Sequence, residues 1–344
     1  MKALQPIRYF LDATAEPLLG NFLRQAPEHF SHTAPDSADV IIFGSDKLDY
    51  LKASTLFQQY RRKCICVSDA DLPTYRLPGL YASNARSIRT SRRALTTSYF
   101  LAEANRPNLE IAQAASRTWP KQYLYSFLGG STSWTRKMLF RMAPSRNDVI
   151  IEATDQYRHW EDGSFEQQKS FRERYARIMA SSKFALCPRG AGTSSFRLFE
   201  AMSLGVAPVI ISDRWVPIGG IDWSFALFVP ERRLRHLDRI VRNYEGEFEA
   251  RGIEARRIYQ DRLAKTNVHA WTHSQIVDLI AAYDPRREAM LDILFPAMDA
   301  VMTLERGVYH VLKHATLRFF SITGLPLPIK LNRPLESQIK ARGK

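Results

Sequence analysis

Cysteine is scarce in this 344-residue chain: only Cys64, Cys66 and Cys187 occur. Three thiols build no even disulfide framework, and all lie in apolar runs that read as strands, where a thiol behaves as a small hydrophobe. A reducing compartment is the natural inference, and with it a cytoplasmic location. No apolar run approaches the ~20 residues of a membrane-spanning helix. The opening stretch MKALQPIRYFLDATAEP interrupts its apolar positions with Arg8 and Asp12, too early for a secretory core. Internal repeats, low-complexity segments, zinc-finger spacing and the aromatic signature of an RNA-binding sheet are missing as well. His269 and His273, like His310 and His314, are spaced for one helical face, but neither pair has the adjacent glutamate of HExxH or a third ligand, so surface or core roles are expected.

Acidic residues are also in deficit: 35 Asp and Glu stand against 49 Lys and Arg, a formal net charge of +14. The partner is therefore expected to be anionic, and sign alone does not choose among nucleic acid, an acidic membrane surface and a phosphorylated small molecule. Basic residues gather at Arg61, Arg62 and Lys63, at Arg86, Arg89, Arg92 and Arg93, and at Lys330, Arg333, Lys340, Arg342 and Lys344. Without a recognisable nucleic-acid module these read as solvated basic faces.

What is present is a rhythm of short apolar runs ending in Gly, Asp or Glu, each followed by a stretch with helical spacing. The runs are ADVIIFGSD, KCICVSDAD, QYLYSFLGG, NDVIIEATD, KFALCPRG and GVAPVIISD. Such alternation predicts an α/β architecture with parallel strands apolar on both faces, whose polar C-terminal ends face a ligand crevice. Pro73, Pro78, Gly79 and Pro107 break the rhythm between about Pro73 and Pro120. The expected organisation is a first α/β domain over 1–120, a second over 121–283, and C-terminal helices with a basic tail over 284–344. In that tail the segment VYHVLKHATLRFFSITG could pack on the body or touch an acidic membrane surface.

The densest chemical signal is SKFALCPRGAGTSSFRLFEAMSLGVAPVIISDRW, from Ser182 to Trp215. It reads strand, glycine loop, helix, turn and strand. Gly190 and Gly192 permit close backbone approach, and Thr193 and Ser194 are candidate caps of a helix starting near Ser195. Unpaired N–H groups at such a helix start accept a diphosphate, and Arg189 is placed to add a guanidinium. Arg197 and Glu200 share a helical face, beside a stripe of Phe196, Phe199 and Met202 that suits a core. Glu200 has the acceptor oxygens to take the two hydroxyls of a ribose; a surface ion pair with Arg197 is the alternative.

The stretch from Ser182 to Glu231, with CPRG, SFRLFEA, PVIISD, the Asp222-Trp223 pair and FVPE, closely resembles the exostosin family of glycosyltransferases. YLYSFLGG with Arg136 after it resembles the strand, glycine turn and arginine that open the family's second domain. The resemblance implies a GT-B fold, two Rossmann-like domains facing each other across a cleft. It implies an inverting transfer from a UDP-linked or similar sugar to a glycan or lipid-linked saccharide, with no catalytic metal and no cofactor beyond the donor. On the matching positions it implies Glu200 for the ribose and Arg189 and Arg197 near the phosphates, with Arg136, Gly190, Ser194, Ser195 and Asp213 around the same donor. The base that deprotonates the acceptor is sought at strand ends: Asp46, Asp69 and Asp71 in the first half, Glu152 and Asp155 in the second. Asp69-Ala70-Asp71 imitates a metal-binding Asp-x-Asp pattern, but turns use aspartate routinely. Position 208, where many retaining GT-B enzymes have a second glutamate, is Pro208. A binding or assembly protein that lost catalysis remains the alternative reading, and a nucleic-acid binder a third.

Overall fold

The apolar runs resolve into two wholly parallel sheets in a computed structural model that describes residues 5–86, 94–144, 146–155, 165–284, 286 and 290. The first sheet contains β1 (Ile7–Leu11), β2 (Phe30–His32), β3 (Val40–Phe43), β4 (Cys64–Ser68), β5 (Gly79–Tyr81) and β6 (Ala94–Thr96), in the order β2-β1-β3-β4-β5-β6. Helices α1 (Glu16–Arg24), α2 (Leu48–Ala53) and α3 (Thr55–Tyr60) form its crossovers. Every residue of β3 and β4 is buried, as expected of parallel strands covered on both faces. Cys64, Cys66 and Cys187 are buried and free, and burial pushes the Cys64 and Cys187 thiols up to about 12.

After α4 (Phe100–Asn105) and α5 (Leu109–Ala115) the chain enters the second sheet. Its strands are β7 (Tyr123–Gly129), β8 (Val149–Ala153), β9 (Ser182–Pro188), β10 (Ala207–Ile211) and β11 (Leu227–Phe228), ordered β11-β10-β9-β7-β8. Connections run through α6 (Trp134–Arg141), α7 (Phe165–Ala180) and α8 (Phe196–Ser203). The chain places β8 on one side of β7 and then crosses to lay β9 on the other, so the strand order reverses between β7 and β9. A crevice opens at such a switch point, at the carboxyl ends of the two strands. Two parallel α/β sheets joined in one unit constitute a GT-B-like fold.

Three helices follow: α9 (Leu237–Asn243), α10 (Phe248–Ile258) and α11 (Val268–Ala281). α10 covers α8 and β10, whereas α11 returns to the first sheet, where Val268, Ile276 and Leu279 join the core built by β1, β3 and α1. His269 stacks on the Phe22 ring at 4.1 Å and its Nε2 lies 2.9 Å from the Phe22 carbonyl, while His273 Nε2 lies 3.1 Å from that of Gln5. These histidines fasten a helix. The expected 121–283 segment therefore contributes its last helix to the other half, and α5, from the first segment, packs on α7 of the second sheet.

Residues 1–283 form one compact unit and 284–344 another. The basic tail, His310, His314 and the aromatic segment before the tail lie outside the described residues, as do Arg89, Arg92 and Arg93. Among the described residues no helix is long and apolar enough to cross a membrane.

Candidate active site

The two halves meet along a seam of backbone contacts. Ala85 bridges Trp215, Arg86 N–H donates to the Arg214 carbonyl at 2.8 Å, and Thr193 Oγ1 donates to the Asn84 carbonyl at 2.8 Å. Gly192 sits at the tightest point: a Cβ there would stand 2.2 Å from Ser83 Oγ and 2.8 Å from the Asp71 carbonyl. Glycine is required by this approach of two loops. The Tyr99 ring, from the first half, stacks on Phe196 at the start of α8 with 4.0 Å between centroids. Phe196 thus leaves the expected core stripe and stands half-exposed at the seam, while Phe199 and Met202 are buried.

The switch point between β7 and β9 is filled by two guanidiniums. Arg136, on the first turn of α6, donates through Nε to the Arg189 carbonyl (3.1 Å) and through its terminal nitrogens to the carbonyls of Pro188 and Gly130. Ser133 caps α6 by accepting from Arg136 N–H, which fixes where that side chain starts. Arg197, buried on α8, donates to the Leu128 carbonyl and leaves its Nε buried without a partner. Glycine at both strand ends makes room: a Cβ on Gly129 would lie 2.9 Å from an Arg197 nitrogen, and one on Gly190 would lie 3.4 Å from an Arg136 nitrogen. Neither guanidinium has a carboxylate partner among the described residues. Burial and the charge of Arg197 pull Arg136 down to about 10. Two buried like charges without a counter-ion are costly unless an anion arrives.

The helix start beside them is open. Ser195, not Thr193 or Ser194, is the N-cap of α8, and its side chain makes no capping bond. Thr193 is diverted to the seam, and Ser194 Oγ is buried without a partner. Free N–H groups at the N-terminus of this eight-residue helix add a partial positive charge to that of the two arginines.

Arg197 and Glu200 share a face as expected but do not pair with each other. Glu200 accepts from the Tyr175 hydroxyl on one oxygen and from Asn108 Nδ2 at 3.2 Å on the other. The Tyr175 ring lies under Arg197, with 5.5 Å from Cζ to the ring centroid, so one aromatic connects the two charged groups. A carboxylate has about four lone-pair sites, and these two bonds leave acceptor capacity for hydroxyls. Tyr175 and Asn108 were not legible as site residues, since they reach Glu200 across 25 and 92 positions of sequence.

Three expected residues turn out to have partners of their own. Arg189, read as a phosphate contact, is bound through Nε to Glu231 at 2.9 Å. Glu231 also accepts from the Thr135 hydroxyl and from Asp213 N–H, and Asp213 accepts in return from Glu231 N–H at 3.0 Å. These bonds hold the Glu231 carboxyl below its ordinary range against the opposing effect of burial. Arg189 and Asp213 therefore clamp the ends of β9, β10 and β11 together. Asp46 is buried, with its oxygens occupied by Thr74 N–H, Arg76 N–H and the Tyr81 hydroxyl. It orders the loop after β3 and has no route to a substrate proton.

Asp69 and Asp71 differ from it. Asp69 accepts from Ala102 N–H at 2.9 Å at the start of α4, and its second oxygen is buried without a partner. Desolvation pushes its carboxyl up to about 7. Asp71 is the more exposed residue, borders Gly192 across the seam and feels the positive charge of Arg136; desolvation raises its carboxyl above the ordinary range. In the second half, Glu152 is engaged by both terminal nitrogens of Arg174, and Asp155 accepts from Ser131 N–H and Oγ. No group of three His, Cys, Asp or Glu side chains is placed to hold a metal among the described residues.

The switch point of the second sheet thus brings together two guanidiniums and an uncapped helix start, with an acidic residue one helical turn further on. Residues 89–244 match the Exostosin GT47 domain. Exostosin-1 of Drosophila melanogaster is 33% identical over 140 residues, covering 37% of this chain and 18% of that protein. The Exostosin-1 homolog of Caenorhabditis elegans is 31% identical over 125 residues, 33% of each chain. Exostosin-1a of Danio rerio is 29% identical over 115 residues, 31% of this chain and 16% of that one. The chain thus matches no more than a third of the length of these relatives. Among solved structures, an alpha1,3-fucosyltransferase superposes with a TM-score of 0.38 at 11% identity, covering 82% of this chain and 92% of that one.

Proposed function

We propose that this protein transfers a sugar from a nucleoside-diphosphate donor, most simply a UDP-sugar, to a hydroxyl of a glycan or lipid-linked saccharide, with inversion and without a metal ion. The observation that carries the reading is the pair Arg136 and Arg197, whose guanidiniums have no carboxylate partner among the described residues and lie beside the uncapped start of α8. A diphosphate placed there meets both arginines, the α8 N–H groups and Ser194 Oγ. Glu200, one turn further along α8, then faces the ribose. The same cationic groups stabilise the charge that develops on the leaving diphosphate.

In the transfer, the bond from the anomeric carbon to the donor phosphate oxygen breaks as a bond to the acceptor oxygen forms on the opposite face. The acceptor proton passes to a carboxylate. Asp71 is the base we assign: it reaches the seam from the first half, where it borders Gly192 and feels the charge of Arg136, and desolvation raises its proton affinity in the direction a general base needs.

Calorimetric titration with UDP tests the donor site, and turnover of UDP-sugars tests the rest. Saturable UDP binding that weakens in Arg197→Met and Glu200→Gln is expected, with Asp71→Asn binding UDP normally while losing a hundredfold or more in kcat, on the order of a general-base contribution. UDP binding without turnover of any nucleotide sugar tried leaves a binding or assembly protein instead. RNA affinity without nucleotide binding returns the +14 charge to nucleic acid.

A further inference from the structure

Most arginines of the described surface that stand near acidic neighbours are paired with them. Arg8, Arg24, Arg146, Arg174, Arg242, Arg251 and Arg257 all have carboxylate partners within 4 Å. Exposed arginines without an ion pair among the described residues also occur singly, as at Arg62, Arg117, Arg141, Arg177 and Arg262, but one run gathers four within eight positions. The 3-10 turn Glu231–His236 continues directly into α9, and along it Arg232, Arg233, Arg235 and Arg239 are all exposed and have no ion-pair partner among the described residues. The pattern is amphipathic: Leu234, Leu237 and Val241 are buried in the second-sheet core, while Arg232, Arg235, His236 and Arg239 recur at helical spacing on the outer side.

Asp238, the one acid within this run after Glu231, is turned away and engaged by Tyr125, Arg146 and Arg242. The outer face thus concentrates like charge with no local compensation. A solvated face requires no such exclusion of acids, and four arginines without a lysine match phosphate oxygens that accept in pairs.

Exposed aromatics accompany the charges. Phe228, three residues before Glu231, is 49% exposed, and Trp134 is 51% exposed. Thr135, next to Trp134, donates to Glu231, so the start of the helix that carries the indole adjoins this run. Cationic side chains beside exposed Trp and Phe are the composition of a surface that settles into lipid headgroups. An RNA or an acidic polysaccharide would also take the charges, and RNA bases stack on exposed aromatics, so binding to vesicles against binding to these polyanions separates the occupants.

We propose that the outer face of residues 232–239, with Trp134 and Phe228 at its edge, docks the protein on an anionic lipid surface. The charge complementarity, with exposed aromatics in the same neighbourhood, is the argument for this occupant; RNA and acidic polysaccharide are outcomes of the test. Because Glu231 also holds Arg189, docking would present the edge of the anion site to the bilayer surface.

The experiment is co-sedimentation of the full chain with phosphatidylcholine vesicles and with vesicles containing added phosphatidylglycerol. Binding to the anionic vesicles only, falling with salt, is expected. Each arginine near an anionic surface contributes about fivefold in partitioning, so Arg232→Gln/Arg235→Gln/Arg239→Gln should lose on the order of a hundredfold. Trp134→Ala should weaken binding without changing its salt dependence. UDP affinity and the thermal midpoint of both variants, measured in parallel, report the fold and the anion site separately. Undiminished vesicle binding by the triple variant overturns the proposal, as does equal binding to both vesicle types. Retention on a soluble acidic polysaccharide or RNA with none on vesicles also overturns it.

Discussion

Arg136 and Arg197 hold their guanidiniums against the same ring, that of Phe127, at 5.6 and 4.6 Å from its centroid. The aromatic face offsets part of the repulsion between them, and strand-end carbonyls accept from each, although Arg197 Nε keeps no partner. Neither has a carboxylate partner among the described residues, a condition that costs stability and that a bound anion would relieve.

Arg197→Met follows from this. The methionine keeps the contact with Phe127 and Tyr175 while removing one of two like charges. The unliganded variant should melt no lower than the wild type. Its affinity for UDP should fall ten- to a hundredfold, the worth of a charge-assisted contact. Thermal unfolding with and without UDP reads both effects; a variant that is less stable alone and unchanged in UDP affinity would make Arg197 a structural residue.

Glu200→Gln separates the two ends of the ligand. The amide preserves shape and one acceptor but loses charge and half the acceptor capacity turned toward Tyr175 and Asn108. UDP should bind roughly tenfold more weakly, a hydrogen bond to a charged group, whereas inorganic pyrophosphate should bind as before. Equal losses for both ligands would place Glu200 at the phosphates.

Much of this site was readable before any coordinate. The six long apolar runs became β3, β4, β7, β8, β9 and β10, because strands buried on both faces announce themselves by composition, and the half-buried edge strand β8 carries the same apolar VII run. The shared face of Arg197 and Glu200 follows from helical spacing alone. β2, β5 and β6 were not legible, since three residues carry no periodicity. Nor were the partners that decide each charged group's role. Arg189 looked free at the end of its strand, and only folding brings Glu231 to it from 42 positions away. Asp46 and Asp71 look alike in sequence, yet one is enclosed by Thr74, Arg76 and Tyr81 and the other faces the seam.

Gly192→Ala tests the seam itself. The added methyl would meet Ser83 Oγ at 2.2 Å and the backbone carbonyl of Asp71 at 2.8 Å, and a backbone atom does not step aside cheaply. Overpacking of this kind costs about 1–3 kcal/mol. The loop carrying Asp71 should shift, so turnover should fall more than UDP affinity, which rests on Arg136, Arg197 and Glu200. Gly190→Ala is the control: its methyl would touch the flexible end of Arg136 at 3.4 Å, and only nucleotide binding should respond.

Asp69 gives the pH dependence. Its carboxyl is raised to about 7 by desolvation, above the unfolded value, so the native state holds this proton more tightly than the unfolded chain does. The contribution to stability is present in acid and is lost as pH rises toward and through about 7, because ionising the buried group costs the native state alone. Asp69→Asn keeps an acceptor for Ala102 N–H and cannot ionise. The two proteins should therefore unfold at similar temperatures near pH 3 (about one unit below the ordinary aspartate value), and the variant should gain progressively as pH rises to about 7, staying the more stable by several degrees above neutrality. Parallel melting profiles across that range would mean that water reaches the unpartnered oxygen. Turnover in the same variant decides between neighbours: if Asp71 takes the acceptor proton, Asp69→Asn remains active, and a loss of turnover with UDP affinity intact moves the base two residues back.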